Sequence, residues 1–253
     1  MTHIHFDNID VSYPIRVGGR ERSTMAALAA TASFGRIAGD MKKIPYVNAI
    51  RGLSLDVKAG DRLAVIGRNG AGKSTLLKTV SGIIHPLSGK SDIKGSILSL
   101  LSLGSGVNME VSARTNLRLI SRLLGIPKSE LETFTQNVLD FTELGEFFDL
   151  PLNTYSSGML VRFMFGAVTY KPADIIVVDE IIGAGDALFF KKAEARAREL
   201  FKQSSILVLS THSPDITYEL CNRAILMARG EIIMDGTPKD VWAEYHDILA
   251  REA

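Results

Sequence analysis

The chain has 253 residues, of which 46% are hydrophobic and 23% are charged, and its formal net charge is +1. This length suits one large domain, or a domain with a small lobe, and the composition is that of a folded protein. A charge so close to neutral argues against general nucleic-acid binding, while a single cysteine, Cys221, excludes an intrachain disulfide and favours a reducing compartment.

Neither a secretory signal nor a membrane span is predicted. The start of the chain, MTHIHFDNID, has no basic segment followed by an apolar one. No run approaches the roughly 18 apolar residues that a spanning helix needs. If the protein acts at a membrane, we expect a partner to supply the spanning part.

The first part of the chain predicts an antiparallel edge and then a basic insertion. Residues 3–15 alternate enough in polarity to form an edge strand that ends at Pro14. Residues 16–48 are rich in arginine and lysine, and a small-residue helical stretch runs from about Ser23 to Ile37. This insertion separates the first strand from the remainder of the predicted core.

The next segment predicts a strand, a turn, a second strand and a helix. Apolar residues recur at every second position from Leu53 to Val57, which indicates a half-buried strand. Residues 58–61 form a turn into a buried strand at 63–66, and residues 74–81 are compatible with a helix.

Residues from about 85 to 170 are predicted to form an inserted helical lobe. The pattern over 112–150 is mainly helical, and Ser129 with Glu132 has the spacing of a capping box. A further helix is predicted from Ser156 to Tyr170.

Strands and helices alternate again in the last part of the chain. A buried strand is predicted at 175–178, a helix at about 187–203 and a strand at 206–209. Ser213-Pro214 and Thr237-Pro238 each predict a helix start, with a capping side chain followed by proline. Such alternation indicates a parallel-sheet core, so the predicted fold class is α/β.

Residues 67–74, GRNGAGKS, predict a phosphate-binding loop. They fit the pattern G-x-x-x-x-G-K-[ST], with Gly67, Gly72, Lys73 and Ser74 in the fixed places. Glycines let successive N–H groups point at phosphate oxygens, Lys73 adds positive charge at the outer phosphates, and the Ser74 hydroxyl can ligate Mg²⁺. Because a strand precedes the loop and a helix follows it, the sequence predicts nucleoside triphosphate binding.

An Asp-Glu pair follows the predicted strand at 175–178. Asp179 would lie at the end of a buried strand, where open α/β sheets place their ligands, and could hold Mg²⁺. Glu180 is placed to accept a proton from an attacking water as general base. The alternative is a solvated acidic pair that merely ends a strand.

Two further segments allow either a chemical or a purely structural interpretation. His212 follows a third apolar strand and could reach the outermost phosphate, or it could be a simple turn residue. Residues 155–159, YSSGM, open a helix whose N–H groups and hydroxyls suit an anion. The same composition suits an ordinary helix cap, and the residues alone do not separate the two.

The order of these motifs resembles that of an ABC-type ATPase, over nearly the whole chain. Ser156-Ser157-Gly158 resembles that family's signature motif, usually Leu-Ser-Gly-Gly-Gln, and residues 183–186 occupy the place of its D-loop. His212 matches the family's switch histidine, and Tyr13 matches the aromatic residue that stacks on adenine.

The resemblance implies one P-loop ABC-type nucleotide-binding domain over 1–253, with a RecA-like parallel-sheet core, an N-terminal antiparallel β edge and an inserted helical subdomain. It also implies that ATP and Mg²⁺ bind as cofactors and that two copies form a head-to-tail homodimer. The catalytic residues implied are Lys73, Glu180 and His212, and Mg²⁺ would be held by Ser74 and Asp179. The implied nucleotide contacts are Tyr13, Gly67, Asn69, Gly70, Gly72, Lys73, Ser74, Thr75, Ser156, Ser157, Gly158 and Asp186.

One departure from the family pattern concerns the loop that usually carries a glutamine. The two glutamines of the chain are Gln136 and Gln203, whereas the expected place falls near Ser102-Leu103. No glutamine ligand is therefore predicted for that loop.

Three details resemble the branch that exports lipid-linked polysaccharides, namely O-antigen, capsule or teichoic acid precursors. They are the YSSGM signature, the stretch PADIIVVDEIIGAGDALFFKK and the basic insertion at 16–48. The branch implies a polytopic ABC-2-type membrane subunit, a peripheral position at the cytoplasmic face of the inner membrane, and O-antigen as the first substrate to test. The insertion would lie beside anionic headgroups or would be a solvated basic face.

The end of the chain bears on how the substrate is chosen. Because the sequence stops at Ala253, soon after its last predicted helix, no additional C-terminal glycan-binding domain is expected. Substrate choice would then rest on the membrane subunit and the lipid carrier.

Two functions from other classes remain as alternatives. A non-transport ABC ATPase acting on nucleic acid or ribosomes would use the same motifs, although such chains usually carry paired cassettes or long coiled-coil insertions. A regulatory nucleotide-binding module without turnover would not need both Glu180 and His212.

Overall fold

A computed structural model describes residues 1–14, 37–38, 46–101, 106–179 and 187–252. The described residues divide into two compact units. The first comprises residues 1–14, 37–38, 46–95, 177–179 and 205–252, and the second comprises residues 96–101, 106–176 and 187–204.

The strands, in chain order, are β1 (His3–Pro14), β2 (Ile37–Ala38), β3 (Tyr46–Lys58), β4 (Arg62–Ile66), β5 (Ser88–Lys94), β6 (Ile97–Ser99), β7 (Ile175–Asp179), β8 (Ile206–Ser210), β9 (Arg223–Ala228) and β10 (Glu231–Gly236). The α-helices are α1 (Lys73–Val80), α2 (Ala113–Leu123), α3 (Leu131–Thr142), α4 (Ser157–Val168), α5 (Ala187–Gln203), α6 (Pro214–Leu220) and α7 (Pro238–Glu252). These elements confirm the predicted α/β class.

An antiparallel sheet in the first unit has the order β2-β3-β1-β5. β1 pairs with β3 on one side and with β5 on the other, so the prediction that it is an edge strand was wrong. The alternation of buried residues from Ile4 to Val11 identifies one buried face, but it carries no information about neighbours. Strand partners from later in the chain decide whether a strand is an edge.

The basic insertion predicted at 16–48 lies largely outside the described residues. Of the predicted helix from Ser23 to Ile37, the structure describes only Ile37, which belongs to β2 and pairs with Val47 of β3. The insertion's last residues, 46–48, are the start of β3 rather than helix.

The core of the first unit is a second sheet, in which β10, β9, β4, β8 and β7 lie side by side in that order. β4 runs parallel to both β8 and β9, and β9 and β10 form an antiparallel hairpin. The residues of β8 are buried throughout, as are the last four of β4, because parallel strands are covered on both faces. This confirms the predicted strands at 63–66, 175–178 and 206–209, whereas β5, β6 and the β9–β10 hairpin were not predicted.

The second unit is built mainly from α2, α3, α4 and α5. Its hydrophobic core contains several fully buried aromatic rings, among them Phe134, Phe148 and Phe163. The helical subdomain predicted at about 85–170 has its described helices within 113–168, and strands occupy 88–94 and 97–99. Next to β6, the N–H of Ile175, the first residue of β7, donates to the Ser96 carbonyl over 2.9 Å.

The predicted helix starts had different outcomes. Ser213 caps α6 by accepting a hydrogen bond from the Ile216 N–H, and the Thr237 hydroxyl accepts from the Asp240 N–H. The capping box at Ser129 was wrong, because a 3₁₀ turn at Lys128–Glu130 precedes α3 and the helix begins only at Leu131. Pro127 starts that turn by accepting a hydrogen bond from the Glu130 N–H.

Membrane-spanning segments were sought among the helices of the described ranges. None of these helices combines the length and the apolar character that crossing a bilayer requires.

Candidate nucleotide site

The predicted phosphate loop joins β4 to α1 in the first unit. Gly67, Gly70 and Gly72 have φ angles of 152°, 77° and 111°, in the region that favours glycine. A Cβ at Gly67 would collide with the Met227 carbonyl oxygen, and one at Gly72 would lie 2.7 Å from the Ala49 carbonyl oxygen. The glycine pattern therefore meets both a conformational and a steric requirement of this fold.

Lys73, the first residue of α1, folds back over the loop. Its Nζ donates to the carbonyl of Gly67 over 2.7 Å and to that of Arg68 over 3.2 Å. The residue is only 8% exposed, so its ammonium charge is concentrated at the inner side of the loop. A buried cation at this position attracts an anion.

The start of α1 adds a second attraction for an anion. The first hydrogen bond of the helix runs from the Leu76 N–H to the Gly72 carbonyl, so the N–H groups of residues 73–75 precede the helical ladder. The helix dipole also places partial positive charge at this end. Loop, lysine and helix start together fit the outer phosphates of a nucleoside triphosphate.

Ser74 and Asp179 meet beside the loop. The Ser74 hydroxyl donates to Asp179 Oδ2 over 2.7 Å, although the two residues are 105 positions apart in the chain. A hydroxyl and a carboxylate are the hard oxygen ligands that Mg²⁺ prefers. The donor set therefore fits the predicted magnesium position.

Tyr13 lies near the same helix start, close to the end of β1. Its hydroxyl donates to Thr75 Oγ1 over 3.4 Å, and its side chain is half-buried. Part of the ring is thus accessible beside the first turn of α1, as a residue that stacks on a base requires.

Because β8 and β4 are parallel, their carboxyl ends lie at the same end of the sheet. His212 follows the carboxyl end of β8, and the phosphate loop follows the carboxyl end of β4. The histidine is exposed, and the turn that carries it is held by a hydrogen bond from the Ser213 N–H to Thr211 Oγ1. β8 lies between β4 and β7, the strand that ends at Asp179. His212 thus follows the strand next to the predicted magnesium ligand.

The predicted base and D-loop fall outside the described part of the chain. Glu180 and residues 183–186, including Asp186, belong to this group, as does the segment Ser102-Leu103 where the family's glutamine is expected. Their roles stay predictions.

The signature segment lies in the second unit, at the start of α4. Ser156 is the N-cap, and its hydroxyl accepts from the Met159 N–H over 3.3 Å. Ser156 and Ser157 are exposed, and a Cβ at Gly158 would have no neighbouring atom within 4 Å. The helix cap is therefore present, and the same helix start is open to a ligand.

A pocket of about 280 Å³ adjoins this helix start. It is lined by Glu143, Leu144, Phe147, Ser156, Gly158, Met159 and Arg162. Beside it, the Tyr155 hydroxyl donates to the Phe147 carbonyl over 2.8 Å. Burial raises the pKa of Tyr155 to about 12.

The residues that support the phosphate loop were not predicted. Ala49, Met227 and Gly230 contact its base through backbone atoms. The one available signal was local: Ala228-Arg229-Gly230-Glu231 separates two short apolar runs, as a hairpin turn does. Nothing in that pattern indicates which loop the hairpin contacts.

Comparison with known proteins gives a family for these features. A family model described as "ABC transporter" matches residues 50–183. The O-antigen export system ATP-binding protein RfbE of Yersinia enterocolitica is 37% identical over 232 residues, which cover 92% of this chain and 97% of that protein. The ABC transporter protein AbcA of Aeromonas salmonicida is also 37% identical, over 83% of this chain and 68% of its own length.

Other relatives are longer than the matched region. The teichoic acids export ATP-binding protein TagH of Enterococcus faecalis is 34% identical over 83% of this chain but only 46% of its own length. Solved structures support the fold. An ATP-binding subunit of an ABC transporter superposes with a TM-score of 0.66 at 20% identity, over 97% of this chain and 94% of that one.

A second solved structure is described as a dimeric ATP-binding cassette bound to ADP and Pi. It superposes with a TM-score of 0.65 at 17% identity, over 93% of this chain and 98% of that one. The predicted ABC-type cassette fold is thereby confirmed. The chain belongs to the ABC transporter family, as an ATP-binding ABC ATPase of the branch that includes the O-antigen and teichoic acid export ATP-binding proteins.

Proposed function

We propose that this ABC ATPase powers the export of a lipid-linked polysaccharide, with O-antigen as the substrate, from the cytoplasmic face of the inner membrane. The observation that carries the ATPase chemistry is the loop in which Lys73 is buried and Ser74 bonds Asp179. O-antigen is favoured over teichoic acid because the O-antigen relative RfbE is 37% identical over 92% of this chain, whereas the teichoic acid relative TagH is 34% identical over 83% of it.

In the proposed mechanism, the first unit binds ATP. Lys73 and the first-turn N–H groups of α1 hold the outer phosphates, and Tyr13 stacks on adenine. Ser74 and Asp179 would hold Mg²⁺, which neutralises charge that develops on the transferred phosphoryl group. His212, which follows the carboxyl end of β8, would contact the outermost phosphate.

Glu180 takes the role of general base in this proposal. A carboxylate directly after Asp179 can accept a proton from the water that attacks the outermost phosphate. Residues 183–186, with Asp186, would line the site as a D-loop.

A second copy of the chain completes the proposed site. The exposed start of α4, from Ser156 to Gly158, would bind the outermost phosphate of ATP held by the other copy, in a head-to-tail homodimer. Support comes from the two exposed serines and from the open space at Gly158. Because closure depends on that phosphate, hydrolysis would release the dimer.

Glu180→Gln tests this mechanism. Glutamine keeps the size of the side chain but cannot accept the proton, so ATP binding should persist while hydrolysis falls about 100-fold or more. We expect ATP and Mg²⁺ to stabilise a dimer of this variant, measured by light scattering alongside phosphate release.

A matched control for that experiment is Glu199→Gln, which changes an exposed acid on α5. It should hydrolyse ATP at the wild-type rate and should dimerise only transiently. Full activity in the Glu180 variant would remove Glu180 from its assigned role.

The membrane subunit is proposed to dock on an exposed face of α2. Leu119 and Leu123 are 40% and 75% exposed on this face, next to the exposed Arg118 and Arg122. The opposite face is buried in the core of the second unit through residues such as Leu117. Leu119 and Leu123 are one helical turn apart, so they form one apolar patch, and we propose this patch as the docking contact.

Replacing Leu119 and Leu123 together with glutamate tests this docking face. The double variant should lose co-purification with the polytopic subunit of its own gene cluster, because two carboxylates would have to be desolvated. The ATPase rate of the isolated chain should stay within about twofold of wild type.

Leu87→Glu is the matched control, since Leu87 is a comparably exposed leucine in the first unit, 72% accessible. It should leave the complex intact. A double variant that still co-purifies at wild-type yield would exclude α2 as the docking face.

The substrate is tested in cells. Deleting the gene should leave lipid-linked O-antigen on the cytoplasmic side, and wild type but not Glu180→Gln should restore export. Accumulation of a capsule or teichoic acid precursor would assign that substrate instead. Co-purification with ribosomes or DNA, and no polytopic partner, would overturn the export proposal.

A further inference from the structure

Three backbone segments of the first unit meet under the phosphate loop. The Gly230 N–H, at the turn between β9 and β10, donates to the Ala71 carbonyl over 2.8 Å. The Gly230 carbonyl accepts from the Arg51 N–H of β3 over 3.0 Å. One buried residue thus bonds the phosphate loop on one side and β3 on the other.

The space at this junction admits only glycine. Gly230 has a φ of 87°, and a Cβ there would lie 2.7 Å from the Ala49 carbonyl oxygen and 3.2 Å from the Ile50 Cα. A Cβ at Gly72 would lie 2.7 Å from the same Ala49 oxygen. Both obstacles are backbone atoms, so no side-chain rotation can relieve the contact.

A neighbouring contact comes from Met227, near the end of β9. Its carbonyl oxygen blocks a Cβ at Gly67, and its Cε would lie 3.3 Å from a Cβ at Gly72. Met227 is buried, with 1% of its surface exposed. The hairpin therefore supports the loop at both of its ends.

The junction also connects the two parts of the proposed ATP site. β3 carries Ala49 and Arg51, and it pairs with β1 at the register Tyr13↔Val47. Tyr13 is the proposed adenine contact, whereas Ala71 belongs to the phosphate loop, two residues before Lys73. A shift at Gly230 would change the distance between these two parts.

We propose that the β9–β10 hairpin positions the phosphate loop for ATP binding, with Gly230 as its positioning residue. This rests on the proposed nucleotide site and adds a residue that touches no ligand. Gly230 acts through the Ala71 carbonyl, and it sets the loop relative to the strand that carries Tyr13.

Gly230→Ala is the direct test, with Gly82→Ala as its control. Gly82 also has a positive φ, 69°, but a Cβ there meets nothing within 4 Å. Both alanines carry backbone strain, and only the first disturbs the junction. We expect the Kd for ATP to rise about tenfold in the Gly230 variant and to stay within about twofold in the control.

The same variants separate positioning from general destabilisation. For Gly230→Ala the ATPase KM should rise while kcat at saturating ATP stays within about threefold of wild type. The melting temperatures of both alanine variants are measured without nucleotide. They show how far alanine at a positive φ lowers stability at each position. An unchanged KM in a folded Gly230→Ala protein would overturn the proposal.

A second pair keeps the test valid if Gly230→Ala does not fold. Met227→Ala removes the side chain under Gly72, and Leu226→Ala removes a buried side chain at the neighbouring position of β9. The Met227 variant should weaken ATP binding several-fold more than the Leu226 variant, and equal effects would overturn the proposal. A wild-type chain that binds no ATP would instead contradict the proposed function.

Discussion

Lys73, the residue that opens α1, is buried in its own unit, whereas Ser157, the residue that opens α4, is exposed. In the first unit, Lys73 bonds two carbonyls of its own loop, and Ser74 bonds Asp179. In the second unit, Ser156 caps the helix, and no described atom lies within 4 Å of a Cβ built at Gly158. The first helix start is held by hydrogen bonds within its own unit, and the second is the one proposed to bind the ATP of another copy.

Glycine serves opposite purposes in these two places. At Gly67 and Gly72 a Cβ would strike backbone carbonyls, so glycine there allows the loop to be held tightly. At Gly158 a Cβ would meet open space, so the fold of the second unit does not require glycine. This difference is what the proposed function expects, because the ATP held by a second copy would then occupy the space beside Gly158.

The largest expected effect is at the helix start that carries the buried Lys73. Lys73→Ala should lower ATP hydrolysis about 100- to 1,000-fold, because the charge that stabilises the outer phosphates is lost. Lys78→Ala, in the last turn of the same helix, should stay within about twofold. Phosphate release measures both, and equal effects would contradict an anion site at Lys73.

A smaller effect is expected at the outward helix start. Gly158→Asp should lower hydrolysis about 100-fold at most, because a carboxylate repels the phosphate of the second copy's ATP. The chain should fold normally, since an acid at a helix N-terminus is favourable by about 0.3–1 kcal/mol. ATP binding to the single chain should be unchanged, as measured by calorimetry.

Gly158→Ala is the matched control for the acidic variant, and it should reduce hydrolysis only slightly. If Gly158→Asp hydrolysed ATP at the wild-type rate, the start of α4 would not be an anion site. The two helix starts would then differ in function as well as in surroundings.

The smallest expected effect is on stability near the signature segment. Tyr155→Phe removes the hydrogen bond to the Phe147 carbonyl and should lower the free energy of unfolding by about 0.5–1.5 kcal/mol at neutral pH. Folding raises the pKa of Tyr155 from 10.0 to about 12, so the folded state holds this proton more tightly. That contribution is present below pH 10 and is lost as the pH rises to about 12.

Urea unfolding at pH 8 and pH 11 measures this difference. The wild type should lose more stability between these values than the phenylalanine variant does. Tyr218→Phe, at an exposed position of α6, is the control and should behave as wild type. A Tyr155 variant with the wild-type pH dependence would contradict burial of the hydroxyl.

Local sequence patterns predicted most helices and strands of the fold. They did not predict features that depend on contacts with distant parts of the chain, such as the neighbours of a strand. The cap at Ser213 was predicted correctly, because a cap needs only the next three residues. At Ser156 the helix start was predicted, and the structure shows that the alternative left open there, a helix cap, is present. The capping box at Ser129 was wrong because Pro127 begins a 3₁₀ turn there. β1 was assigned to an edge because its second partner, β5, comes from beyond the phosphate loop.

The sequence by itself determined that the loop joins a strand to a helix, because the spacing within Gly67–Ser74 and its flanks is a local property of the chain. It also indicated that Ser74 and Asp179 would share a cation, although they are 105 positions apart. Only the tertiary structure decided what lies beneath the loop. Ala49, Met227 and Gly230 meet there through backbone atoms, and backbone proximity between distant strands leaves no mark in side-chain spacing.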